Sequence, residues 1–154
     1  MPALFFKTRF IIALLLSALL LATSCKKTQE TYVANILEQY FEQNILNRNF
    51  IVRYASDEGT EITTQYDGWV FKLFKNTYYD GPMTAIKNGV TYNGTWSSNE
   101  DFGKLIITVN QPSIPAEFSF INRQWRFTEK ALPVMKLAPW GSTAAKVLHM
   151  ERIN

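Results

Sequence analysis

Two hydrophobic periods divide the chain. From Val33, the apolar residues Leu37, Phe41 and Ile45 recur every four positions, with Ile36 and Tyr40 widening the stripe. This predicts one amphipathic helix over about Tyr32–Leu46, which Thr31 can cap. Its polar face carries Glu38, Glu42 and Gln43 rather than Lys and Arg, which suits packing on a domain better than lying on an anionic membrane.

From Phe50 the period becomes two. Phe50, Val52 and Tyr54 alternate, Ser56-Asp57-Glu58-Gly59 makes a turn, and Glu61 to Gln65 can return as a short strand. After Asp67-Gly68, the residues Trp69, Phe71 and Leu73 share one face, and Asp80-Gly81-Pro82 is a break. Met83–Lys87 and Val90–Ser97 are joined by Asn88-Gly89, the strongest hairpin signal in the chain, because a type I′ turn needs positive φ at both central residues.

Tyr92, Gly94 and Trp96 share a face of that hairpin, and Leu105, Ile107 and Val109 follow the polar loop Ser97–Gly103. Phe118 and Phe120 alternate, but Trp125 and Phe127 have the other parity, so a tight turn at Asn122-Arg123 is expected to join two strands there. Val134–Ala138 and Val147–Arg152 complete the series around a turn at Pro139–Ser142.

The expected fold is all-β with one N-terminal α-helix. It is an antiparallel meander of about eight strands, and since a meander has exposed edges unless it closes, a small barrel is expected. A two-sheet β-sandwich is the alternative. Aromatic residues make up 14% of the chain and most lie between Tyr54 and Trp140, which fits a β core.

Ahead of the helix the pattern is of a different kind. Lys7 and Arg9 precede Phe10–Ala22, a run apolar except for Ser17 and too short to span about 30 Å of hydrocarbon as a helix, so residues 1–24 read as an export signal rather than an anchor. Small residues then lead to Cys25, the one cysteine, at Leu21-Ala22-Thr23-Ser24-Cys25, which resembles the lipobox of bacterial lipoproteins. That resemblance implies lipid on Cys25, residues 25–31 as a tether and 32–154 as the folded domain.

Removing residues 1–24 leaves 130 residues, enough for one core. Two of the 16 basic side chains lie in the leader, so 14 face 13 acidic ones and the mature net charge is near +1 rather than +3. With no basic face interleaved with aromatics, nucleic acid is not an expected partner.

Gly94-Thr95-Trp96, the polar loop after it and Leu105-Ile107-Val109 resemble the lipocalin-like lipoproteins of Bacteroidota. Trp125-Arg126-Phe127, Leu137-Ala138-Pro139-Trp140-Gly141-Ser142 and Val147-Leu148-His149-Met150 are similar to lipoproteins of that phylum without known function. The resemblance implies a calycin-type barrel that binds a ligand or serves envelope upkeep. The expected place is the cell envelope, on the outer membrane. The resemblance implies that acidic residues just after the lipidated Cys direct surface export, and Lys26–Glu30 offers only one, so the periplasmic face is expected, with the cell surface as the alternative.

Candidate chemistry is sparse. His149 is the sole histidine, so no histidine pair for zinc exists, and Cys25 is consumed by lipid, so no Cys–His nucleophile pair can form. No catalytic constellation, metal site or cofactor is expected, and His149 reads as a strand residue facing solvent or bonded locally. Asp57-Glu58-Glu61 and Glu100-Asp101 read as solvated turn residues rather than paired catalytic carboxylates. Asn93-Gly94-Thr95, a glycosylation acceptor by pattern, reads as chance in a bacterial strand.

Trp69, Phe71, Tyr92, Trp96, Phe118, Phe120, Trp125 and Phe127 either line a pocket for a small hydrophobic ligand or fill the barrel. Trp140, in a turn, either plugs a barrel end or is exposed to contact an envelope protein. The expected function is ligand binding by a lipid-anchored barrel. The alternative is a non-catalytic structural or interaction lipoprotein with a solid barrel.

Overall fold

The computed structural model describes residues 36–153. The expected signal peptide (1–24), Cys25, the expected tether (25–31) and the expected helical residues 32–35 lie outside them. Helix α1 covers 36–44. Nine strands follow: β1 (Asn49–Asp57), β2 (Thr60–Glu61), β3 (Val70–Leu73), β4 (Asp80–Lys87), β5 (Val90–Ser98), β6 (Lys104–Gln111), β7 (Gln124–Glu129), β8 (Val134–Pro139) and β9 (Lys146–Ile153). A single 3-10 turn, Thr63–Tyr66, separates β2 from β3, and a short helix α2 (Phe118–Ile121) lies between β6 and β7.

Every pairing is antiparallel between chain neighbours until the last, where β9 returns to β1 over eight registered pairs from Asn49↔Ile153 to Asp57↔Lys146. β1 holds β9 on one edge; on the other it holds β3 at Asn49↔Lys72 and Phe50↔Phe71, and β2 at Ser56↔Glu61. Eight strands thus form a closed ring, with β2 attached beside it. The sandwich alternative is set aside.

Alternation fills the interior. Phe50 and Val52, Phe71 and Leu73, Met83 and Ala85, Leu105, Ile107 and Val109, Met135 and Leu137, and Leu148 and Met150 all point inward and are buried. The hairpin at Asn88-Gly89 has φ of 52° and 78°, as a type I′ turn requires. Glu58-Gly59, at 47° and 80°, repeats that geometry between β1 and β2.

Four expectations need correction. Asp80-Gly81-Pro82, expected as a break, are the first three residues of β4 and pair with Ser97, Trp96 and Thr95. The register shifts between Val52 and Tyr54, so Ala55 takes the inward place and Tyr54 lies against His149 instead, with centroids 5.3 Å apart. Only Thr60–Glu61 of the second short strand pairs, and Thr63–Tyr66 turns as a 3-10 helix that buries Tyr66. Phe118 and Phe120 lie in α2, not in a strand.

The physical reason for α2 is that Phe118, Phe120 and Ile121 can all be buried together on one helical turn, which a strand would split between two faces. Arg123 secures the turn by donating from Nε to the Phe120 carbonyl at 2.5 Å and from Nη2 to that of Ser119 at 3.2 Å.

Candidate functional site

The barrel has two ends, and each is closed by aromatic side chains. At the end under α1, Phe41 stacks on Phe102 with centroids 4.5 Å apart and meets Trp96 at 5.5 Å and Phe127 edge-on at 6.4 Å. Tyr40 donates its hydroxyl to the Lys130 carbonyl, and Tyr79 donates to Glu38 Oε1 at 2.5 Å. A Lys75–Glu42 ion pair at 2.6 Å adds to these contacts, so α1 sits as a fixed plug.

Phe102 was hidden in what reads as a polar loop. Its backbone has φ of 49°, and Asn99 and Asp101 hold the loop in shape: Lys104 N–H donates to Asn99 Oδ1 at 2.7 Å and Gly103 N–H to Asp101 Oδ1 at 2.8 Å. An aromatic inside an acidic loop was the one available signal. Asp101 is thereby a turn-forming residue.

At the other end, under α2, Trp69 lies 4.7 Å from Phe118 and 5.3 Å from Tyr92, and Tyr92 meets Phe118 edge-on at 5.5 Å. Phe71 flanks this group, 6.3 Å from Trp69 and 6.4 Å from Phe118. Phe120 packs on Trp125 at 5.4 Å and on Tyr66 at 6.3 Å. The Tyr66 hydroxyl donates to the Glu117 carbonyl at 2.7 Å, and burial first, then the Glu117 charge, raises its pKa well above the ordinary tyrosine value.

The eight aromatic residues singled out in the sequence are therefore divided. Trp96 and Phe127 belong to the α1 end, and the other six to the α2 end. Tyr92 and Phe127 are half-buried, and the other six are buried. The indoles of Trp69, Trp96 and Trp125 are 3%, 1% and 0% exposed, and each takes roughly 200 Å² out of water, worth about 5 kcal/mol of transfer free energy.

Trp96 Nε1 donates to the Phe74 carbonyl at 2.7 Å and Trp125 Nε1 to that of Ile121 at 2.9 Å. Trp69 Nε1 is buried with no acceptor among the described residues. The Lys87 ammonium lies 5.5 Å from the Trp69 ring.

Outside the barrel, Trp140 is 40% exposed, with the Lys104 ammonium 5.3 Å from its ring, so it does not plug the end. Ile86 near the end of β4, Val90 at the start of β5 and Ile114 in the connection from β6 to α2 are also exposed. His149 is half-buried against Tyr54, and burial, followed by the Lys136 charge, makes its protonation harder.

Lys146 pairs with both Asp57 and Glu58, the latter at 3.1 Å, which uses the first acidic group in a surface ion-pair cluster. Among the described residues there is no group of three side chains suited to hold a metal ion, and no helix long and apolar enough to cross a membrane.

Open depressions mark the surface, two of them lined by described residues. One, of about 580 Å³, lies over the start of β4 and the end of β5 around Gly81 and Thr95. The other, of about 340 Å³, lies where α1 leads into β1 and β9 ends.

No protein-family model matches the chain, and no curated protein matches it. Among solved structures it is similar to the crystal structure of a DUF4847 family protein from Bacteroides vulgatus ATCC 8482. The TM-score is 0.52 with 15% sequence identity, over 71% of this chain and 95% of that one. At that identity the likeness shows the fold alone, a small antiparallel β-barrel.

Proposed function

We propose that this chain is a non-catalytic lipoprotein of the cell envelope whose barrel is solid and whose outer surface docks an envelope partner. The observation that carries this reading over ligand storage is the occupancy of the interior: three indoles and the α1 and α2 aromatic groups fill the volume a hydrophobic ligand would need. A lipocalin-like barrel of eight strands has just enough room for side chains or one small ligand, not both. The Trp140 loop and the exposed apolar side chains of Ile86, Val90 and Ile114 are the surface offered. Lipid on Cys25, with the domain on the periplasmic side of the outer membrane, supplies the address.

Two measurements separate the readings. A panel of lipids and hydrophobic dyes is expected to leave tryptophan fluorescence and melting temperature unchanged, and saturable quenching by any of them would favour a ligand-binding barrel. Crosslinking in intact cells is expected to recover a second protein, lost in a Trp140→Ala variant, whereas recovery of monomer alone would count against docking. The anchor has its own test: Cys25→Ala should leave the membrane fraction, and wild type should take up labelled palmitate.

A further inference from the structure

We infer that the mouth of the barrel beside the end of α1 is a binding site for a phosphoryl group, held by Arg152 and Arg48. On β9, Leu148 and Met150 point into the barrel and are fully buried, and Arg152 follows at the same parity, so a guanidinium takes the place at the mouth where an apolar residue is expected. It is half-buried. Its described partner is Asn44 Oδ1 at 3.3 Å, long for a charge-assisted bond, and no carboxylate among the described residues pairs with it.

Arg48 reaches the same place from the other side. Asn47, at φ 58°, turns the chain out of α1, and the register Asn49↔Ile153 and Phe50↔Arg152 sets the start of β1 beside the end of β9. Arg48 Nε and Nη2 both donate to the Gln43 carbonyl at 3.3 Å, and this side chain too has no carboxylate partner among the described residues. Between the two arginines lies the 340 Å³ depression, completed by Asn47, Asn49 and Ile153, with no acidic residue among the described residues of its lining.

A half-buried guanidinium with no carboxylate partner among the described residues is unusual, because a charge out of water is normally paired. Two guanidinium forks with two amides offer more donors than the two oxygens of a carboxylate can accept, and suit the tetrahedral oxygens of a phosphoryl group. The phosphoryl group can belong to a free phosphate or to a phospholipid headgroup. The headgroup source rests on the lipid-anchored reading, whereas the site itself does not.

The test uses the full chain purified in a non-ionic detergent and titrated calorimetrically with inorganic phosphate, with a soluble short-chain phosphatidylglycerol, and with a short-chain diacylglycerol lacking phosphate. Stoichiometric, saturable binding is expected for at least one phosphoryl probe and not for the diacylglycerol. Affinity should fall about tenfold or more in Arg152→Gln and in Arg48→Gln, as loss of charge-assisted bonds dictates.

Tighter binding of phosphatidylglycerol than of phosphate assigns the headgroup; equal or weaker binding assigns free phosphate. Arg152→Lys keeps the charge without the fork and serves if Arg152→Gln does not fold, with weaker binding again expected. Absence of saturable heat with either phosphoryl probe at millimolar concentration, or affinity unchanged in the arginine variants, overturns the site. Inorganic phosphate needs no anchor, so failure of lipidation at Cys25 leaves that arm intact.

Discussion

Asn122 acts toward Val109 as a strand would. Its Oδ1 accepts the Val109 N–H at 2.8 Å and its Nδ2 donates to the Val109 carbonyl at 2.9 Å. The registered pairing of β6 with β7 spans only Lys104–Ile106 against Gln124–Arg126; beyond it one backbone bond, Ile107 N–H to the Arg123 carbonyl at 3.1 Å, and then this side-chain amide continue the wall of the barrel. Only an amide carries both a donor and an acceptor at that spacing.

Asn122→Ala should therefore cost about 2–4 kcal/mol, since it leaves two polar groups of a fully buried residue unpaired. Asn122→Asp should be no better, because a carboxylate oxygen then faces the Val109 carbonyl. Denaturant unfolding monitored by tryptophan fluorescence reads both. A loss below about 0.5 kcal/mol would mean that water takes over the amide's role without cost.

Gly81 is expected to tolerate no side chain. A Cβ there would lie 1.9 Å from the Phe74 carbonyl oxygen and 2.9 Å from Trp96 Nε1, the two atoms that hydrogen-bond each other. Overpacking of this kind typically costs about 1–3 kcal/mol, and more where the obstacle is backbone. Gly81→Ala should lower the melting temperature and alter the near-ultraviolet dichroism of Trp96; a wild-type spectrum and melting curve would refute the close approach.

The three indoles should respond differently to the same substitution. Trp96→Phe takes from the Phe74 carbonyl its indole donor, Trp125→Phe takes one of two donors from the Ile121 carbonyl, which keeps the Arg123 N–H at 2.8 Å, and Trp69→Phe removes a buried donor that has no acceptor among the described residues. Trp69→Phe should thus be milder than Trp96→Phe by about 1–2 kcal/mol, the cost of leaving one buried polar group unpaired, with Trp125→Phe between them. Equal losses at all three sites would show that volume alone governs the result.

At alkaline pH the α1 plug should loosen. The bond to Glu38 and then burial hold the Tyr79 hydroxyl up to about 12, from an ordinary 10.0. In the unfolded chain this proton is lost first, so the contribution is fully present below about pH 10 and disappears as pH rises toward 12. Tyr79→Phe should flatten the fall of stability across that window and remove one late step of the tyrosine absorbance curve, leaving the still later titration of buried Tyr66 in place. An unchanged curve would show that the Glu38 bond does not hold the Tyr79 proton.

Much of the architecture could be read before the coordinates. Trp69, Phe71 and Leu73 keep strict alternation, Asn88-Gly89 names its own turn, and Phe41 with Ile45 keeps the helical stripe, because each reports a local preference that the fold obeys. Three features were illegible for physical reasons. Phe118 and Phe120 fit a strand as well as a helical turn when only four residues are involved, and burial of Ile121 decides between them. The shift at Val52–Tyr54 depends on the partner strand and leaves no mark on β1 itself. Arg152 breaks its strand's apolar parity, yet its meaning rests on Arg48, more than 100 positions earlier and beside it only because β1 meets β9.

That meeting also sets a timetable. β9 pairs with both β1 and β8, so an incomplete chain has two open strand edges and no ring. Contacts between such distant segments form slowly, after the loop-closure entropy of the whole intervening chain is met. The domain therefore stays an unlatched sheet until its last strand is in place, which leaves chains truncated before Lys146 open to proteolysis.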